Sequence, residues 1–265
     1  MAKKEGREER MIDTHCHLDD TRYSEDLDAV IARAKERGIE KFIIPGADPK
    51  TLPRAAAVAE RYESVYFAVG VHPYDAANYR RDFLERFVTH EKCVAIGECG
   101  LDYYRLPEGD AAVAEEKERQ KAVFTDQICW AKSLGKPLIV HIRDAGSDAM
   151  ALLERYAGEA GGVLHCYNAD SSLLALSSRN FYYGIGGVIT FKNAKKLINV
   201  YPKIPMERLL IETDAPYLTP HPYRGERNEP AYCREIAEKM SELSGISREA
   251  LETVTTRNAA TLFGI

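Results

Sequence analysis

Four histidines and two carboxylates each follow a short apolar run in this sequence. They are His15 and His17 in Met11-Ile12-Asp13-Thr14-His15-Cys16-His17, Glu98 in Ile96-Gly97-Glu98, His141 in Leu138-Ile139-Val140-His141, His165 in Val163-Leu164-His165, and Asp214 in Ile211-Glu212-Thr213-Asp214. Imidazole nitrogens and carboxylate oxygens are the donors that hold divalent cations. On a strand over 11–18, side chains alternate, so His15, His17 and Asp13 share a face. Taken alone, a His-x-His pair also fits two ordinary histidines near a surface turn. The repetition is harder to dismiss. His72 also follows an apolar run, in Gly70-Val71-His72, and of the seven histidines only His90 and His221 lie elsewhere.

A carboxylate has two oxygens and can bridge two cations, and Glu98 is the central candidate. His15, His17 and Asp214 then complete one site, and His141 and His165 the other. Two cations about 3.5–4 Å apart polarise a phosphoryl oxygen, activate water at neutral pH and stabilise the leaving oxygen. Ligand softness leaves Mg, Mn and Zn open, because imidazole favours Zn while carboxylate and water admit Mg or Mn. The alternative is a set of histidines that satisfy core hydrogen bonds, which suits one such residue better than five.

Such a site needs elements that bring distant strand ends together. The sequence alternates candidate strands at 11–18, 40–45, 64–70, 93–98, 137–142, 162–166, 181–186 and 208–213 with helical segments. Helices are expected at 24–38, with Ser24 as N-cap, and at 50–62, 79–90, 110–134, 144–157, 170–178, 191–200, 230–244 and 247–262. Strict alternation predicts a parallel sheet covered by helices, and eight units predict closure into a (β/α)8 TIM-type barrel of one domain over 11–265. In such a barrel the strand C-termini converge on one pocket. The longest irregular stretches, 98–109 and 214–229, both follow strands. No glycine-rich phosphate loop follows any strand, which disfavours a nucleotide-binding open sheet.

The 265 residues carry a net charge of −5. That balance disfavours broad binding to duplex nucleic acid, which usually wants a basic face, but it allows one strand end in a locally positive pocket. No apolar run approaches a membrane span. Residues 1–10, MAKKEGREER, read as a charged, disordered leader rather than a signal peptide. The six scattered cysteines, with no CxxC pair, read as reduced thiols. The expected location is the cytoplasm, with no membrane and no obligate protein partner.

The chain resembles the TatD family of metal-dependent deoxyribonucleases, within the amidohydrolase-like barrels. The resemblance runs from Met11 to Ile265 through IDTHCHLDD at 12–20, VGVHPYD at 69–75, IGECGLDYY at 96–104, KPLIVHIRDA at 136–145, LHCY at 164–167, GGVITFKNA at 186–194, ETDAPYLTPHPYRGERNEP at 212–230 and RNAATLFG at 257–264. It implies a TIM-like barrel, a divalent-metal site and hydrolysis of DNA, commonly as an exonuclease. It also places the family's metal residues on His15, His17, Glu98, His141, His165 and Asp214, with Asp214 orienting the attacking water. Tyr74 stands where the family often repeats histidine after VHP. Cys99 interrupts the usual GEIGLDYY, Asn168-Ala169-Asp170 replaces a small Ser-Gly, and Glu226 replaces a common lysine.

Around these six, His72, Arg143 and Arg224 are the candidate substrate-binding residues. Arg143 shares the inward parity of His141 and can fork onto a phosphate, or pair with Asp144 or a loop acid. Arg224 lies where the resemblance implies substrate contact, and Arg227 can do the same or fix its loop through Glu226 or Glu229. Asp13 and Glu212 are expected to orient imidazoles from behind. Tyr103 and Tyr104 can stack on a base or pack their loop. The leading expectation is a deoxyribonuclease, with Glu98 and Asp214 catalytic, that uses two divalent cations to cut single-stranded ends in the 3'-5' direction. One alternative keeps the site and changes the bond to an ester or amide, as in deacylation of D-aminoacyl-tRNA. A lysine carbamate would signal amide-cleaving barrels; Glu98 occupies its place. A non-catalytic scaffold is a further alternative, and the intact ligand set argues against it.

Overall fold

Runs as apolar as Phe42–Ile44 or Ile139–Val140 tolerate no wet face, so their strands must be covered on both sides. The computed structural model describes residues 11–265; the charged leader expected at 1–10 lies outside them. Chain order is β1 (Met11–Asp13), α1 (Leu27–Glu36), β2 (Ile39–Ile44), α2 (Leu52–Arg61), β3 (Val65–Val69), α3 (Arg81–Val88), β4 (Cys93–Asp102), α4 (Asp110–Leu134), β5 (Leu138–Arg143), α5 (Gly146–Tyr156), β6 (Gly162–Leu164), β7 (Phe181–Ile185), α6 (Lys195–Val200), β8 (Leu209–Ile211), α7 (Cys233–Ser244) and α8 (Arg248–Phe263). A 3-10 segment, Ser171–Arg179, stands in place of a helix between β6 and β7.

All neighbouring strands are parallel and follow chain order β1 to β8. Every strand sends buried residues to a common interior cluster that includes Ile12, Ile43, Ala68, Ala95, Ile139, Val163, Tyr182 and Leu210. Their sequence neighbours, such as Phe42, Ile44, Val140 and Ile211, belong to the larger layer between barrel and helices. Period-two alternation explains the partition, and it sends residues two further along inward again. His141 on β5, and His165 and Glu212 one residue past the ends of β6 and β8, are those residues.

The seam between β8 and β1 is closed mainly beyond the ends of both strands. Thr14 N donates to Ile211 O (3.1 Å), Asp214 N to His15 O (2.9 Å) and His17 N to Ala215 O (2.7 Å), with an isolated bridge pairing Cys16 and Ala215. The first strand is therefore shorter than 11–18, and His15 and His17 lie past its end. Ser24 does not cap α1. Its hydroxyl donates to Thr21 O, and the helix begins after Asp26.

β4 runs further than 93–98 and contains an irregularity. Ile96 pairs with Leu138 and Cys99 with Val140, three residues against two. Parity from Ala95 would turn Gly97 inward; the extra residue of this bulge brings in Glu98 instead. Beyond the bulge, Gly100 has φ +147°, and a Cβ there would lie 1.9 Å from His141 O. Glycine is what lets β4 press against β5 at the site.

Candidate metal centre

The strand ends bring all six residues of the His/carboxylate set to one mouth of the barrel. Glu98, only 3% exposed, is at its middle. Its two oxygens face different groups. Oε2 lies 3.4 Å from His15 Nε2, whereas Oε1 lies 3.1 Å from His141 Nδ1 and 3.6 Å from His165 Nε2. Asp214 Oδ1 faces the first group, 3.4 Å from His17 Nε2 and 3.7 Å from His15 Nε2. Asp214 adopts a positive φ of 55°.

This donor set fits divalent cations. Tetrahedral bonds of about 2.0–2.2 Å put neighbouring ligand atoms about 3.3–3.6 Å apart, close to the separations between these groups. Two compact donor sets share the carboxylate: His15, His17 and Glu98, and Glu98, His141 and His165. His15 Nε2 is buried and makes no hydrogen bond, although it points into the cluster. A buried polar atom without a partner is costly, and a cation would satisfy it. The rings of His15 and His165 are stacked with centroids 3.5 Å apart.

The electrostatics follow from burial opposed by pairing. Burial alone would raise the Glu98 carboxyl, but His165, His15 and His141 hold it well below the usual carboxylate range. Asp214 is likewise lowered by His17 and the neighbouring imidazoles against the effect of burial. Burial also disfavours charged imidazole, yet Glu212 and Glu98 push His165 up to about 10. Asp102 and Glu98 raise His141, and Asp214 raises His17, again against burial.

Glu212 stands behind His165, with Oε1 3.1 Å from Nδ1, within ion-pair reach though not aligned as a hydrogen bond. It also accepts from Cys166 N at 2.5 Å. Asp13 differs from expectation. It accepts from Thr213 Oγ1 (2.6 Å), Thr213 N (3.0 Å) and His15 N (3.3 Å). It thus fixes the backbone across the seam and does not touch an imidazole. The carboxylate that sequence reasoning missed is Asp102, whose Oδ2 lies 2.9 Å from His141 Nε2. It sits in the Gly-Leu-Asp-Tyr-Tyr run, four residues past Glu98, where the longer β4 makes it the register partner of Arg143.

His72 Nε2 lies 3.7 Å from Glu98 Oε1, and its Nδ1 accepts from Tyr74 N at 3.2 Å. Burial, aided by nearby His141, pushes His72 down to about 4, so it is neutral at neutral pH. A cavity of about 630 Å³ opens beside the cluster, with His141, His165, Asp214, Arg143, Lys195 and Tyr217 among its lining. Arg143 does not pair with Asp144; its guanidinium lies over the Tyr104 ring at 3.5 Å. Arg224 is not part of that lining. It donates to Thr219 O at 2.9 Å and lies over Phe191. Arg227 fixes its loop through Asp26 (2.6 Å) and Glu229 (3.0 Å).

Residues 12–264 match the family model described as TatD related DNase. The chain is 42% identical to "Uncharacterized metal-dependent hydrolase YabD" of Bacillus subtilis strain 168, covering 96% of this chain and 99% of that one. It is 35% identical to "3'-5' ssDNA/RNA exonuclease TatD" of Shigella flexneri serotype 5b, covering 96% and 99%. Among solved structures, YJJV, a TatD homolog from Escherichia coli K12, superposes with a TM-score of 0.89 at 30% identity over 97% of this chain and 99% of that one.

Proposed function

The chain belongs to the TatD-related DNase family of metal-dependent hydrolases, and from that premise we propose that it removes nucleotides from single-stranded DNA ends in the 3'-5' direction with two divalent cations. The observation that carries this reading is the division of Glu98, one oxygen toward His15 and the other toward His141 and His165. His15, His17, Glu98 and Asp214 would hold one cation, and Glu98, His141 and His165 the other. Likeness to the Shigella 3'-5' ssDNA/RNA exonuclease supports single strands and the polarity.

When bound, the cations supply Lewis acidity toward a phosphoryl oxygen and toward water; Mg, Mn and Zn all suit the mixed donor set. The remaining work falls to the chain. Asp214, which also lines the cavity, orients the attacking water and accepts its proton. His72 is neutral, and with Nδ1 occupied by the Tyr74 amide it presents Nε2–H as a donor toward the reacting phosphate. Arg143, which lines the cavity, binds a flanking phosphate. The unpaired cysteines fit a reducing compartment, and the cytoplasm is the proposed one.

Hydrolysis of 3'-labelled and 5'-labelled single-stranded oligonucleotides with Mg²⁺, Mn²⁺ or Zn²⁺ tests this, with an EDTA control and Glu98→Ala in parallel. The expected result is stepwise shortening from the 3' end that needs metal and is lost in Glu98→Ala. Binding of two cations without cleavage under any of them would overturn it and favour an ester or amide substrate.

A further inference from the structure

Large apolar side chains are buried almost throughout this molecule, and the four that are exposed among the described residues are Tyr74, Tyr104, Leu134 and Tyr217. Three of these four are tyrosines at the metal-bearing mouth, on the loops after β3, β4 and β8. Each abuts a group of the site. The Tyr217 ring lies 5.8 Å from that of His17, and the Tyr74 ring 4.9 Å from that of His72. Tyr104 N donates to the Asp102 carboxylate that holds His141, at 2.9 Å.

Each ring also faces a guanidinium. Arg143 lies over Tyr104 at 3.5 Å, Arg22 over Tyr217 at 4.3 Å, and Arg105 near Tyr74 at 5.9 Å. Arg22 is itself fixed by a fork onto Asp20, Nε to Oδ1 at 2.9 Å and Nη2 to Oδ2 at 2.8 Å. With one face covered by arginine, Tyr104 is still 57% exposed and Tyr217 47%. The exposed part of each residue includes a flat, apolar ring with a guanidinium beside it.

We propose that Tyr104 and Tyr217, with Tyr74 as a third position, are base-stacking platforms flanking the metal centre, and that their arginines meet the adjoining phosphates. This rests on the phosphodiesterase reading above and adds what selects the strand. Stacking on an aromatic ring needs a base with a free face, which single strands offer and the interior of a duplex does not. An acidic chain gains strand affinity this way without a basic surface, since the contacts are confined to the mouth. Arginine behind each ring adds a cation for the sugar-phosphate backbone as well as rigidity.

The test is binding by fluorescence anisotropy with the metal-loaded protein. The probes are labelled oligothymidylate and the same backbone carrying abasic tetrahydrofuran units, both with phosphorothioate linkages to slow cleavage. Wild type is expected to bind the base-bearing strand about ten times more tightly than the abasic one. Tyr104→Leu and Tyr217→Leu should each lower that ratio about fivefold or more, while Tyr104→Phe and Tyr217→Phe keep it. Equal binding of the two probes by wild type, or a ratio unchanged in the leucine variants, overturns the inference. Cleavage of bis(p-nitrophenyl) phosphate by wild type is the control for the function itself. Its absence, together with no cleavage of DNA, overturns the phosphodiesterase reading, whereas its presence with base-indifferent binding overturns only the platforms.

Discussion

Asp102 Oδ2 stands 2.9 Å from His141 Nε2, on the side of the ring away from Glu98. The contact places the imidazole proton on Nε2 and leaves the Nδ1 lone pair directed into the centre. A carboxylate in this position fixes the ring and raises its basicity. Asp102→Asn should weaken binding of the cation at His141 and His165 by about 10–100-fold, with the fold intact. Isothermal titration of the metal-free protein reads this directly, and an unchanged affinity would show that His141 is oriented without Asp102.

Cation binding should expel protons. His165 is pushed from an ordinary 6.5 to about 10 in the metal-free chain, because Glu212 and Glu98 outweigh burial. A raised histidine stabilises the metal-free fold fully below pH 6.5, and that contribution fades as pH climbs toward 10. At pH 8 this ring is still protonated and a cation must displace its proton. Affinity at the His141 and His165 site should therefore rise with pH between 6 and 9, with about one proton released from His165 on binding. Titrations in two buffers of different ionisation enthalpy measure the release; identical heats would refute it.

Two arginines proposed to meet substrate should behave differently. Arg143 borders the cavity and makes no ion pair among the described residues, whereas Arg224 is engaged by Thr219 O and Phe191 outside that lining. A charge-assisted hydrogen bond to phosphate is worth about 1.5–3 kcal/mol. Arg143→Ala should thus raise KM for single-stranded DNA about 10–100-fold, and Arg224→Ala by less than about threefold. Steady-state kinetics with both variants decide the order, and a larger effect at Arg224 would mean that its loop closes over the substrate.

Gly100 has no room for a side chain, with His141 O 1.9 Å from the position of a Cβ. Gly100→Ala must push β4 from β5 or distort the backbone, at a cost of about 1–3 kcal/mol. The urea midpoint should fall, and metal affinity should fall with it because His141 and Glu98 lie on the displaced strands. A midpoint within error of wild type would show that the two strands can separate there freely.

Much of this was legible in the residues. Alternation of apolar runs with helical segments was enough for the eight strands, and α4 was readable at about 110–134. Parity explains why His141, His165 and Glu212 face inward. What parity could not convey is the bulge in β4, since one inserted residue decides whether Gly97 or Glu98 enters the mouth. The same irregularity hid Asp102, because a strand thought to end at 98 has no reason to carry a carboxylate to His141. Nor could alternation place His15 and His17, which lie past the strand on a segment held by Asp214 and Ala215 beyond the end of β8. Asp13 was misread for that reason: on a continuous strand it would sit beneath His15, but at the strand's end it turns to Thr213.

The seam between β8 and β1 is also where chain positions nearly 200 apart meet, His15 beside Asp214 at 3.7 Å. A cation held by both acts as a clasp on a very long loop, a reversible counterpart of a disulfide. Such closure removes entropy from the unfolded chain in proportion to the logarithm of the loop length, so a long loop gains most. The ion that supplies reactivity would then also hold the two ends of the barrel together. Chelation would loosen the first and last strands before the middle of the sheet, and hydrogen exchange should rise earliest in β1 and β8.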